Sequence, residues 1–192
     1  MNNKSLSRLL ALLLSVLIVL SMTACGSKEK APANAVGNVN FTVDEAKVDI
    51  NGNTTKGLGG ARVEHNKFKL VPGRVNSKDT TVHMDSKSAE CWLFAKVDNG
   101  IASVESQAAD YVPVAAQLEA NGWVLLQDNI YAYNTTAKAS DNIVIMNAFA
   151  ISEDAAEEDC KALTAPEITV YGVEAAGYDS AEGAWNASGF GA

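Results

Sequence analysis

Three observations predict an all-β domain, mainly strands with two or three short helices. The first is residues 88–100, SAECWLFAKVDNG, a run too short and too aromatic for a helix. Ala89, Cys91, Leu93, Ala95 and Val97 point to one side of it, and Trp92 and Phe94 to the other. Such a strand is apolar on both faces and needs cover on both. The second is a series of about eight short β-prone segments punctuated by Gly, Pro, Asn and Asp. The third is length. A leader of 24 residues leaves 168 of the 192, enough for one core and too few for two. Together they describe a single-domain β-sandwich.

From Val39 the sequence alternates. Phe41, Val43, Ala46, Val48 and Ile50 suggest one strand or two short ones with a slip near Glu45, closed by Asn51-Gly52-Asn53 and a loop to Gly60. Val63, Phe68 and Leu70 continue the theme as far as the turn dipeptide Pro72-Gly73. Residues 80–84 are a further β-prone piece, and the two-faced strand follows, ended by Asp98-Asn99-Gly100.

Val114, Ala115 and Leu118 then fall at helical spacing, with Pro113 tolerable in the first turn and Gly122 at the exit. Residues 123–126 and 130–133 flank Gln127-Asp128-Asn129 as a hairpin, because Asp and Asn accept positive φ. Residues 142–151, NIVIMNAFAI, read as one further strand. They carry no charge and no proline, a cross-β composition that a buried sandwich strand explains equally. Ser152 fits the N-cap of a helix over SEDAAEEDCKAL, acidic first and basic later as the helix dipole prefers. Residues 167–175 form the last strand. Asp179-Ser180-Ala181-Glu182 opens a short terminal helix with a capping-box-like pair.

The start of the chain gives an address. Lys4 and Arg8 precede an apolar run over residues 9–20 and then Ser21-Met22-Thr23-Ala24-Cys25. A positive head, a short apolar middle and a small-residue exit make an export signal over residues 1–24. Twelve residues at ~1.5 Å each span ~18 Å, well short of the ~30 Å hydrocarbon layer, so a permanent span is the poorer reading. Residues 26–38, GSKEKAPANAVGN, have no apolar period. Residues 25–38 are therefore expected to be a flexible tether ahead of a domain at 39–192.

Charge narrows the function. The chain has 15 Lys and Arg against 23 Asp and Glu, and Lys4 and Arg8 belong to the leader, so the remainder stands at −10. That excludes nucleic acid as a partner and adsorption to anionic lipid. No P-loop, no G-x-S-x-G and no CxxC occurs in the sequence, which leaves phosphate binding, α/β-hydrolase chemistry and thiol redox catalysis without support. Asp49, Asn51 and Asn53 mimic the opening of a calcium loop, but Thr54 stands where Gly is wanted and Gly60 where the bidentate Glu belongs, so a solvated turn is expected. No cofactor is expected. Trp92, Trp123 and Trp185 offer surfaces for a small ligand, and serve more simply as core.

Several blocks resemble known sequences. Met22-Thr23-Ala24-Cys25 is similar to the lipobox of bacterial lipoproteins, which implies acylation of Cys25 and attachment to the extracytoplasmic face of a cell membrane of Gram-positive type. Lys69-Leu70-Val71-Pro72-Gly73, Lys78-Asp79-Thr80-Thr81-Val82 and residues 89–97 resemble successive blocks of the camelysin and TasA family of exported Firmicute proteins. Gly122-Trp123, Tyr131 and Tyr133, then residues 168–175 with Ala184-Trp185, resemble its later blocks in the same order. The resemblance implies a jelly-roll-like form of the sandwich. It also implies a non-catalytic role with biofilm-matrix or fibre subunits as partners. A lipobox in place of the family's usual leader implies a membrane-held anchor, monomeric when alone, rather than a released subunit. Residues 40–48 are then the candidate for an exchanged strand; equally, they can pair within their own sheet.

Camelysin-like proteins are also classed as metalloendopeptidases, which directs attention to His65 and His83, the only histidines. Neither lies in an H-E-x-x-H helix, so neither catalytic nor metal residues are expected and the protease is the alternative reading. A ligand-binding surface lipoprotein is a third. Outside the cell a disulfide between Cys91 and Cys160 is permitted; equally, each can be a separate thiol.

Overall fold

The computed structural model describes residues 34–54 and 60–191. The leader, the lipobox and Cys25 lie outside them. The described chain is all-β, with three short helices.

Among the described residues eleven strands form three sheets. β1 (Ala35–Val36), β11 (Glu167–Glu174), β6 (Cys91–Asp98), β8 (Ile130–Tyr133) and β7 (Trp123–Gln127) make a five-stranded sheet in that order. β3 (Arg62–Val63), β2 (Phe41–Ala46), β5 (Thr81–Met84) and β9 (Asn142–Val144) make a four-stranded one. β10 (Ala148–Ala150) and β4 (Val75–Ser77) pair alone. Every pairing is antiparallel except β1 with β11. The helices are α1 (Val114–Ala120), α2 (Glu157–Cys160) and α3 (Ala181–Ser188). None among the described residues is long and apolar enough to cross a membrane.

The two-faced strand is the centre of the larger sheet. On one side Cys91, Leu93, Ala95 and Val97 of β6 enter a core shared with Phe41, Val82, Met84 and Ile143 of the other sheet. On the opposite side Phe94 and half-buried Trp92 join a second cluster with Ile130, Val173, Ala184 and Trp185. The cover on that side is α3. Trp185 meets Phe94 at 5.0 Å and stands edge-on to Tyr171 at 5.6 Å. Burying each large apolar side chain contributes roughly 1.5–3 kcal/mol. Ser180 caps α3, its hydroxyl accepting from Gly183 N at 3.2 Å, and Gly189 ends it at φ 77.

Several expectations are corrected. The domain begins before residue 39, because β1 runs parallel to β11 and Gly172 N donates to Asn34 O. Gly37 turns the chain at φ 86, and Asn38 N donates to Glu174 Oε2 at 2.9 Å. Val39 and Phe41 then cross β11 at Gly172, where a Cβ would stand 2.7 and 2.9 Å from their side chains. Residues 40–48 do not form a free strand, since β2 is paired by β5 on one edge and β3 on the other.

The expected strand at 142–151 divides. β9 ends on the four-stranded sheet, Ile145 N donates to Thr80 O, and the chain passes to β4 through Asn147, whose carbonyl accepts from Lys78 N. Phe68 and Leu70 are not in a strand; Phe68 packs edge-on against Phe149 at 5.0 Å from a loop. The helix expected from Ser152 shrinks to α2, because the Ser152 hydroxyl accepts from Asp154 N and closes a local turn instead.

Candidate functional site

A groove of about 850 Å³ lies beside the β10 and β4 pair. Its walls come from the loop leading into α1, from β10 and from the loop after it. Val75, Tyr111, Val112 and Ala148 supply apolar surface, while Asp110, Glu153 and Asp154 supply charge. Val75 and Val112 are 59% and 53% exposed, so the groove presents aliphatic surface to solvent. Among the described residues no Lys or Arg lines the groove.

The walls are held by two polar side chains, Gln117, which is buried, and Glu105, which is half-buried. Gln117 on α1 is 8% exposed. Its Nε2 donates to Val112 O and Ala148 O at 2.6 and 2.8 Å, and its Oε1 accepts from Asn147 N and Ala148 N at 2.8 and 3.1 Å. One side chain thus joins the helix, the loop and the strand. Glu105 organises the other wall, accepting at Oε1 from Tyr111 Oη at 2.8 Å and Val114 N at 2.7 Å, and at Oε2 from Asn99 Nδ2 at 3.1 Å. Burial first, and the Glu105 carboxylate second, push the Tyr111 phenol well above its ordinary range. It therefore stays protonated and engaged at neutral pH, and is no nucleophile.

The backbone around β10 is also committed. Ser106 N donates to Ala150 O, Ser152 N to Val104 O, and Gly73 N to Ile151 O and Ser152 O, while Gln117 occupies residues 147 and 148. An occupant meets side chains here, not an open strand edge.

The residues singled out from sequence lie elsewhere. His83 on β5 holds Asp44 Oδ1 at 2.8 Å through Nε2 and Asn142 Oδ1 through Nδ1, so both ring nitrogens are engaged by side chains across the sheet. Asp44 is held in turn by Arg62, which also binds Asp79. His65 is exposed just after β3, outside any strand. Among the described residues no three His, Cys, Asp or Glu side chains converge as a metal site.

The calcium-like stretch is a turn. Asp49 Oδ1 accepts from Asn51 N and Asn53 N at 2.8 and 3.0 Å, Arg74 donates to Asn51 Oδ1, and the bond from Asn53 foremost lowers the Asp49 pKa. Cys91 and Cys160 are both buried and free, so no disulfide joins β6 to α2. The tryptophans do not share a site. Trp123 is fully buried in the main core with its Nε1 donating to Val144 O, whereas Trp92 and Trp185 belong to the second cluster.

Gln117, Glu105, Tyr111, Val75 and Val112 were not legible as site residues. The one signal was the acidic run at 153–159, which reads as helix from composition although Glu153 and Asp154 precede α2 and face the groove. Compared with known protein families, curated proteins and solved structures, the chain has no match.

Proposed function

We propose that this chain is a non-catalytic, lipid-anchored module on the extracytoplasmic face of a bacterial membrane, which holds a protein partner of the biofilm-matrix kind. The observation that carries the binding half is the groove, where apolar and acidic side chains converge on rigid walls while the one phenol is tied to a carboxylate. The anchoring half rests on Met22-Thr23-Ala24-Cys25 after a short apolar run. The camelysin and TasA resemblance, with its jelly-roll-like form, supplies the class of partner.

The anchor acts on encounter. A domain held to the lipid at one end samples a thin layer of space, which raises its effective concentration for fibres lying at the surface. Its acidity keeps the domain itself off anionic headgroups.

Fractionation of cells tests this reading. The protein is expected in the membrane pellet, and Cys25→Ala is expected to release it or to stall its processing. Matrix fibres are expected to sediment with the wild-type protein. Normal processing with unchanged membrane retention of Cys25→Ala would rule out the anchor, and fibres that never co-sediment would rule out the matrix partner.

A further inference from the structure

We propose that the groove takes an extended cationic peptide segment of the partner, with basic side chains on Asp110, Glu153 and Asp154 and aliphatic ones against Val75 and Val112. This rests on the reading above in supposing a protein partner, and adds its chemistry.

Charge selects the occupant. Every charged side chain lining the groove is acidic, and Glu157, Glu158 and Asp159 of α2 extend the same sign along the surface, with only Lys161 paired among them, to Glu158 at 3.0 Å. Nucleic acid and anionic headgroups are repelled. A second copy of this chain, itself at net −8, brings like charge. The carboxylates are spread instead of gathered, since no three ligating side chains converge among the described residues. Spread charge fits a ligand whose positive groups repeat along its length better than a single ion. The exposed valines add what a bare polycation would not use. With the backbone of β10 already paired, selection falls on side chains, so the segment needs both basic and aliphatic residues.

The test uses the full chain in mild detergent and a fluorescent synthetic peptide alternating lysine and valine, followed by anisotropy at low and at ~0.15 M salt. Controls replace every lysine by glutamate or every valine by serine. The wild-type chain is expected to bind the alternating peptide, more weakly as salt rises, and to ignore the glutamate version. The charge reversals Asp110→Lys and Asp154→Lys together are expected to abolish binding, and Val75→Ser with Val112→Ser to weaken it about tenfold. All these positions are exposed, and an unchanged melting curve shows that each variant folds.

Three results would overturn the proposal. One is no binding of the alternating peptide by the wild-type chain. Another is equal binding of the lysine–serine peptide with no effect of the valine substitutions, which reduces the contact to bulk charge. The third is a self-associated chain whose assembly, rather than peptide binding, responds to the groove variants. Membrane fractionation is read separately: an anchored protein that ignores the peptide removes only this inference, and a soluble one that binds it removes only the anchor.

Discussion

Lys78 and Glu45 face each other inside the domain at 2.5 Å, with side-chain exposures of 10% and 2%. Asn66 N donates to the other carboxylate oxygen, and the Lys78 ammonium lies 5.6 Å from the centre of the Phe68 ring. Removing one charge strands the other, so Lys78→Met is expected to cost ~3–5 kcal/mol in a urea titration. Lys161→Met, at the exposed pair with Glu158, is expected to cost no more than ~1 kcal/mol. Equal losses would mean that the inner pair is wetter than its surroundings indicate. Cys91 gives a second prediction. Burial first, then the nearby Glu90 and Asp141 charges, push its thiol up to about 12 from 9.0. The fold favours the protonated form, so this contribution to stability is full below pH 9.0 and is lost as the pH climbs toward about 12. Native protein is expected to resist iodoacetamide at pH 8 and to melt at the same temperature with or without reductant, since both described thiols are free. A reductant-dependent melting temperature would contradict the free thiols. Neither inward carboxylate nor lysine was legible in the sequence. Glu45 sits inside an alternating strand whose register alone turns it inward, and its partner lies 33 positions on.

Among the elements, β6 and α3 are the pair on which the second core depends. Trp185→Ala is expected to cost ~3–5 kcal/mol and to loosen Tyr171 and Phe190, its aromatic neighbours, as read by near-ultraviolet dichroism and denaturant midpoint. A loss under ~1 kcal/mol would show that α3 covers the sheet only loosely. The longer strands were legible because their signals are local: β2 alternates, and β6, β7, β8 and β11 are short apolar runs bounded by turn residues. The turn between β7 and β8 was legible too, with Asp128 at φ 44. Ser180 was found as a cap, although Gly183 rather than an acidic residue occupies the third helical position. What stayed hidden was set by distant partners. β4 contains buried Asn76 and exposed Val75, the reverse of a strand's ordinary signal, and exists because β10 pairs with it from more than 70 residues away. The groove was hidden for the same reason, being assembled from two loops, a helix and two short strands that no local pattern relates.

At the scale of the whole molecule, the chain divides its labour between a two-sheet core that is almost entirely apolar and a surface that is acidic. The all-β fold was available from sequence, whereas the shape of the groove was not. One feature of the fold also bears on how such a domain carries load. Tension arriving from the residues before Asn34 is met first by β1, two residues long and hydrogen-bonded alongside β11. Behind it the chain holds Glu174 through Asn38 and then enters the core at Val39. Stretched in an optical trap from its N-terminal side, the domain is expected to give a small early extension of roughly 17 Å as residues 34–38 peel away, before the sandwich ruptures at higher force. Val36→Pro is expected to erase the early step and leave the main rupture where it was; a shift in the main rupture would mean that β1 is part of the mechanical core. A pull from that side would then be met by a short sacrificial link that re-forms when the tension relaxes, while the sheets behind it and the groove they support stay folded.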